Sequence, residues 1–334
     1  MKRTPVHIIA EVGSVHDGSF GNALKLIELA ASVGADSVKF QTHLPEHETL
    51  RDAPSPSYFT GEARYDYFRR TGFNTDQWGH LKEHADKHGI GFLSSPFSAH
   101  AVDLLESLGV PTYKIPSGEV TNLPLLEHIK ATGKPVLLSS GMSNWAELDA
   151  AVEVFGRDYA PGLTVMQCTS AYPCPPERVG LNVMRQMAER YGTPVGLSDH
   201  TLDSYSSFAA VSLGATVIEK HLTFSRAMYG SDAKHSLEPE VFADLVNGIR
   251  AIQTMLASEV DKDDLSPYAD MKAVFEKSVV ARTQIHTGTT ITREMLDVRK
   301  PGTGIPAKEI GRIVGRKAAR SIDEDTLLSE GDLA

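Results

Sequence analysis

Residues 194–223 read PVGLSDHTLDSYSSFAAVSLGATVIEKHLT. Two short apolar runs in it, PVGL and TVI, pass directly into polar chemistry: Ser198-Asp199-His200 in the first, Glu219-Lys220-His221 in the second. A helical stretch lies between them. Runs of this kind, lacking a polar face and joined by helices, belong to parallel strands covered on both sides. The same unit recurs upstream at VHIIAEVG (6–13), DSVKFQTH (36–43), GFLSSPFS (91–98), TYKIPSGE (112–119), PVLLSSG (135–141) and LTVMQCTSAYP (163–173). Each is followed by a helical candidate. In the first of these, Asn22 is the expected N-cap, Ala23, Leu26, Ile27, Ala30 and Val33 share one face, and Gly34 is the stop. Eight strand–helix units in strict alternation predict an α/β chain folded as a closed (β/α)8 TIM barrel, with an open doubly wound sheet as the competitor.

The strand ends carry the second half of that argument. Glu11, Lys39 and Gln41, Ser95, Lys114 with Ser117 and Glu119, Ser139, Tyr172, Asp199 with His200, and Glu219 with His221 all close an apolar run. In a barrel those C-terminal ends meet at one mouth, where active sites are built. Between the second strand and its helix, residues 44–75 exceed a simple loop and hold Tyr58, Phe59, Tyr65, Tyr67 and Phe68. Such a segment either folds over the mouth, packs on a partner or merely decorates the barrel.

After residue 258 the character changes. SEVDKDDLSPYAD is acidic and polar, as a linker should be, and beyond it short β-rich pieces are broken by glycines. The expected organisation is a barrel over 1–258, a linker over 259–275 and a compact β-rich module over 276–334. A module of that size is near the lower limit for standing alone and is expected to lean on another surface.

Composition excludes several function classes. With 41% hydrophobic and 23% charged residues the chain reads as globular, and no apolar run approaches the roughly 20 residues needed to cross a bilayer. The start MKRTPVHIIAEVG lacks the form of a signal peptide. Two cysteines, Cys168 and Cys174, give no disulfide framework and suit a reducing cytoplasm. A net charge of −10 argues against nucleic acid as a partner but leaves room for a locally basic pocket.

Within the mouth, His200 and His221 on adjacent strand ends suit a two-histidine metal site, against the plain alternative of a hydrogen-bonded barrel histidine. Lys39 and Lys114 interrupt apolar strands. A buried lysine needs a counter-charge, so the pair points to a bound anion, to ion pairs such as Lys39 with Glu11 or Lys114 with Glu119, or to a Schiff-base nucleophile. Ser95, Ser117, Ser139 and Ser198 are candidate donors to the same anion. Glu11, Glu119, Glu219, Asp199 and Asp232 are candidate acid–base or hydroxyl-binding groups. The cysteines read as core or pocket wall.

Taken in order, IIAEVGSVHDGS, SVKFQTH, SSPFS, YKIPSGE, LSSGM, CTSAYP, GLSDHT and IEKHLT resemble the sialic acid synthases (N-acetylneuraminate synthases), and RKPGTGI resembles their C-terminal antifreeze-like (SAF) domain. The resemblance covers essentially the whole chain. It implies metal-dependent condensation of phosphoenolpyruvate with an N-acetylmannosamine-like amino sugar. It implies Mn2+ or Mg2+ on His200 and His221, and phosphoenolpyruvate held by Lys39, Lys114, Ser95, Ser117, Ser139 and Ser198. The sugar is expected near Gln41, Glu119, Tyr172 and Asp232, with Glu11 and Glu219 lining the reacting centre. The accessory domain is expected to cross to the other subunit of a domain-swapped homodimer, Lys300 supplying the charge.

Two positions depart from the pattern: Val15 stands where asparagine is common, and Lys300 where arginine is common before Pro301-Gly302. Lysine keeps the charge but loses the planar fork. Both departures open a different acceptor, a diacetamido-trideoxy sugar leading to a legionaminic- or pseudaminic-type acid. A Schiff-base aldolase and a non-catalytic carbohydrate-binding protein are the readings from other classes.

Overall fold

The computed structural model describes residues 5–54, 62–156 and 158–334. Eight parallel strands close a barrel in sequence order: β1 (His7–Glu11), β2 (Ser37–Thr42), β3 (Gly91–Pro96), β4 (Tyr113–Ile115), β5 (Val136–Ser139), β6 (Leu163–Cys168), β7 (Val195–Asp199) and β8 (Val217–His221). The closure is a full β8–β1 ladder that sets Glu11 opposite His221, while Glu11 is also opposite Lys39 on β2.

Strand alternation then decides what fills the interior. Ile9, Leu93, Leu137, Met166 and Val217 form an apolar cluster of their own. Each lies two residues before Glu11, Ser95, Ser139, Cys168 and Glu219 respectively. With a period of two, residue i+2 faces the same way, so an apolar plug is followed by an inward polar layer nearer the C-terminal end. The outward set, including Ile8, Ala10, Val38, Phe40 and Ile218, packs against the helices in the main core.

The first helix runs Phe20–Ser32 and its N-cap is Ser19, not Asn22; the Asn22 amide donates to Ser19 Oγ at 3.2 Å. Apolar periodicity locates a helix face but not its first residue, which the nearest side chain able to bond the third helical amide decides. The stop is as expected, Gly34 taking φ +82° beyond a cap at Val33. Residues 44–75 hold the helices Pro45–Glu48 and Arg64–Thr71, and Tyr65, Tyr67 and Phe68 are buried. Tyr58 and Phe59 lie outside the described residues.

The chain divides into two compact units, Met1–Ser258 and Glu259–Ala334. The second holds β9 (Ser278–Ala281) paired antiparallel with β10 (Leu296–Arg299) over a core that includes Val279, Ile285, Ile291, Ile313 and Leu328. Its first stretch is not all irregular, since a short helix runs Ala269–Phe275. Among the described residues no helix is long and apolar enough to cross a membrane.

Candidate active site

The polar layer is a closed charge network. Lys114 Nζ donates to both Glu219 oxygens, at 2.7 and 2.8 Å, and Ser198 Oγ donates to Oε1 at 3.0 Å. Lys39 Nζ lies 2.7 Å from Glu11 Oε2 and 3.9 Å from Glu219 Oε1, and donates to Ser95 Oγ at 3.2 Å. The Lys39–Glu11 contact is a buried ion pair, and Gln41 Nε2 donates to the other Glu11 oxygen, Oε1, at 2.8 Å. Of the two pairings read from sequence, Lys39–Glu11 is present; the partner of Lys114 is Glu219 across the barrel, not nearby Glu119.

Burial raises both carboxyls, and unequal pairing with the two lysines splits them. Glu11 is pushed up to about 7 because burial and the neighbouring Glu219 outweigh Lys39. Glu219 is pulled down to about 2, the attraction of Lys114 and Lys39 overcoming its burial. The signs for stability are opposite. The proton that Glu11 keeps stabilises the fold fully below about 4.5, and that contribution is lost as pH rises through about 7. Glu219 contributes above about 4.5, and its contribution is lost as pH falls through about 2. In urea unfolding, the wild type should therefore lose stability between those first two pH values relative to Glu11→Gln. Parallel profiles for the two proteins would rule out the raised carboxyl.

Beside this network stand the two histidines, their ring centroids 5.5 Å apart. His200 Nδ1 donates to the Thr169 carbonyl at 2.9 Å, which fixes the tautomer and turns Nε2 outward as a lone-pair donor. Among the described residues His221 Nδ1 is buried with no hydrogen-bond partner, and burial holds this imidazole down at about 4, neutral at physiological pH. An orphaned buried nitrogen and a second imidazole with an oriented proton are the donor set a divalent cation takes. The residues fit such an ion.

Asp232 lies alongside, its Oδ2 accepting from the Ser14 amide and hydroxyl, both at 2.7 Å. Gly13 makes this packing possible: at φ +53°, a Cβ there would sit 2.4 Å from Asp232 Oδ2 and 3.2 Å from His221 Cε1. On the opposite wall Ser117 and Ser139 hydroxyls are 3.0 Å apart, and the Gly141 amide donates to Ser117 Oγ at 3.0 Å. Cys168 joins this wall. Burial pushes its thiol up, but its contact with His200 draws it down to about 7 and raises the imidazole in turn, so His200 offers a lone pair to a cation only in its deprotonated form.

Two adjoining cavities open on these groups. One, of about 340 Å³, is lined by Glu11, Lys39, Lys114, Ser117, Ser139, Ser198, His200 and Glu219. The other, of about 300 Å³, is lined by Ser14, Tyr67, Ser231, Asp232, Lys234 and His235. Gln41, Phe68, Ser170, Tyr172 and His221 border both. Ser95 is fully buried beneath Lys39. Glu119 lines neither cavity; it follows β4 on a short turn, Ser117–Glu119, where Asn122 Nδ2 donates to it at 2.8 Å. Asp199 is likewise turned away, paired with Lys220 at 2.8 Å. Lys300 belongs to the second unit, its Nζ 4.9 Å from the Phe275 ring centroid.

Sequence reasoning missed Arg64 and His43, both lining the first cavity. His43 is sandwiched between the Phe68 and Phe97 rings, at 3.6 and 4.0 Å, so the helix Arg64–Thr71 reaches over the mouth through Phe68. Ser14 could have been found, since it lies in the Gly13–Gly18 turn directly after β1. Arg64 had no signal beyond its charge.

Residues 26–261 match the NeuB family and residues 276–334 the SAF domain. N,N'-diacetyllegionaminic acid synthase of Campylobacter jejuni is 37% identical, covering 99% of this chain and 100% of its own. Human N-acetylneuraminate-9-phosphate synthase is 35% identical over 98% of this chain and 92% of its own. Among solved structures, the N-acetylneuraminic acid synthetase of Leptospira borgpetersenii superposes with a TM-score of 0.70 at 30% identity, over 80% of this chain and 91% of that one.

Proposed function

The chain belongs to the NeuB family, and from that membership and the polar layer we propose that it condenses phosphoenolpyruvate with an amino-sugar aldehyde, giving a sialic-type nonulosonic acid and phosphate. The observation that carries this is the convergence of Lys39 and Lys114 on Glu219, within 3.9 and 2.7 Å of one oxygen, at the same end of the barrel as the two imidazoles.

Phosphoenolpyruvate enters the cavity that holds both lysines. Its phosphate takes hydrogen bonds from Lys39, Lys114, Ser117, Ser139 and Ser198, groups already fixed by their mutual contacts and so needing little reorganisation. Ser95 acts from below by holding Lys39. The open-chain sugar occupies the second cavity against Gln41, Tyr172 and Asp232, which puts its aldehyde beside His221. Glu119, outside both linings, is assigned to the sugar's outer reach through Arg64. A Mn2+ or Mg2+ ion on His200 and His221 would supply Lewis-acid polarisation of that aldehyde.

The enol electron pair of phosphoenolpyruvate forms the C3–carbon bond, and the aldehyde oxygen gains a proton. Positive charge develops at C2 between Glu219, ionised throughout the working range, and Glu11. Water adds to C2 and loses its proton. The bond from C2 to the phosphate oxygen then breaks, the C2 hydroxyl left by water gives its proton to the departing phosphate, and its oxygen becomes the C2 carbonyl of the product. Lys114 is engaged by both oxygens of Glu219, which disfavours the Schiff-base reading, because a nucleophilic amine needs a free lone pair.

A diacetamido-trideoxy acceptor is the second reading, supported by the legionaminic relative and by Lys300; Val15 no longer bears on it, being fully buried in the main apolar core and outside both cavity linings. A panel of amino-sugar acceptors, scored by phosphate release, separates the two. We further assign Lys300 to the acceptor of a partner subunit in a homodimer. The reaction itself is tested with phosphoenolpyruvate carrying ¹⁸O at the bridging position. The label should leave in inorganic phosphate, with the product's C2 oxygen drawn from water. Label kept in the sugar acid would overturn the mechanism.

A further inference from the structure

On the outer shell of the barrel, away from both cavities, two packed helices carry a second set of metal-ligand side chains. His84, in the last turn of the helix Thr75–Lys87, and His88, the residue that caps it, lie four residues apart with ring centroids 4.6 Å from one another. Glu28 reaches them from the helix Phe20–Ser32, its Oε1 3.2 Å from His84 Nε2. One donor atom from each of the three lies within 4.8 Å of the others. We propose that Glu28, His84 and His88 form a binding site for a divalent transition-metal cation, which clamps these two helices together.

The donor chemistry selects the class. Two imidazoles and a carboxylate suit zinc, cobalt or nickel better than the harder magnesium and calcium, which favour oxygen ligands. An i,i+4 histidine pair is a ready chelate, because the helix backbone has already fixed the spacing. The third ligand comes from another element, so binding stabilises tertiary structure and not the helix alone. The metal replaces the hydrogen bond that now joins His84 to Glu28. It also competes with Lys25, whose Nζ holds the other Glu28 oxygen at 2.7 Å. That lysine side chain is 66% exposed and free to swing into solvent. His80, one turn earlier, has its ring 6.5 Å from that of Phe20, and among the described residues the ligand set is these three, so water completes the shell. The site does not depend on the proposed reaction. Its consequence is mechanical: the clamped helix is the one into which the 44–75 segment leads.

The test uses the full-length chain without a histidine tag, stripped of metal and titrated with Zn2+ alone, by calorimetry and by thermal melting. His221→Ala, which disables the mouth, should still bind Zn2+ and melt higher with it. In the His221→Ala background, His84→Gln/His88→Gln should lose one bound equivalent or weaken it roughly tenfold or more, since losing a direct ligand costs at least as much as losing an outer partner. It should also lose the thermal shift. In the otherwise native chain the same double substitution should leave turnover unchanged, which separates this site from the catalytic reading. Cobalt substitution gives a second readout, visible absorption that disappears with the histidines. Equal Zn2+ stoichiometry and equal thermal shifts with and without His84 and His88 would overturn the proposal, as would a His221→Ala chain that takes up no Zn2+.

Discussion

A His221→Ala chain should fold normally and turn over at roughly a thousandth of the wild-type rate or less. The expected loss is that of a Lewis-acid contribution of several kcal/mol, each factor of ten being worth about 1.4 kcal/mol. Stability should change little, because His221 Nδ1 is already unsatisfied in the buried site and its removal relieves a desolvated polar atom while opening a small space beside Gly13. Metal bound at the mouth should fall with the activity, and exhaustive chelation of the wild type should reproduce the defect until Mn2+ or Mg2+ is returned. Full turnover by the chelated wild type would remove the metal from the mechanism. The same inactive chain reports on the subunit exchange proposed for Lys300. Mixed with Lys300→Ala chains under conditions that allow exchange, it should regain part of the activity, because one mouth in the mixed dimer then has both its histidine and its lysine. No recovery would place the action of Lys300 within its own chain or nowhere near the acceptor.

The barrel was legible because strand and helix periods alternate so strictly, and the mouth because a parallel barrel sends every strand end to one place. Ile9 before Glu11 and Val217 before Glu219 show the rule at work: a residue two positions earlier on the same face is plug, and the next is chemistry. Where the chain leaves the strand, the rule lapses. Glu119 belongs to the quoted stretch TYKIPSGE, yet β4 ends at Ile115, and the turn that follows aims Glu119 at Asn122 instead of the cavity. Asp199 is still on β7 but on its outer face, against Lys220, because Ser198 already took the inward position.

Pairing across the barrel was less legible than membership. Lysine–glutamate pairing is legible within a few residues or between neighbouring strands, and Lys39–Glu11 is of that kind. Lys114 on β4 and Glu219 on β8 face one another across the interior, a relation that sequence distance hides and barrel closure creates. The insertion was least legible, since its aromatic residues follow neither period. Tyr65, Tyr67 and Phe68 turn out buried, and Phe68 closes on His43, which brings Arg64 to a cavity wall that no strand pattern could have predicted.

Lys114→Met should lower kcat/KM for phosphoenolpyruvate by roughly a thousandfold, the scale of losing a preorganised charge aimed at the developing transition state. It should also destabilise the barrel. The substitution strips both hydrogen bonds from Glu219 and leaves a buried carboxylate with Ser198 and a more distant Lys39, at a cost of about 3–5 kcal/mol for a broken buried pair. Its pH dependence identifies the cause. In the wild type Glu219 is held at about 2 against its burial, so it stabilises the fold above about 4.5 and loses that contribution as pH falls. Without Lys114 the balance tips towards burial, the carboxyl moves up, and the variant should unfold more easily than wild type near neutral pH while the gap narrows in acid. Adding Glu219→Gln removes the stranded charge, so Lys114→Met/Glu219→Gln should recover most of the stability yet none of the activity, because the phosphate still lacks its lysine and the developing charge at C2 has lost its carboxylate as well. If the double variant regained turnover along with stability, Lys114 would serve only to neutralise Glu219, and the phosphate would have to be held elsewhere.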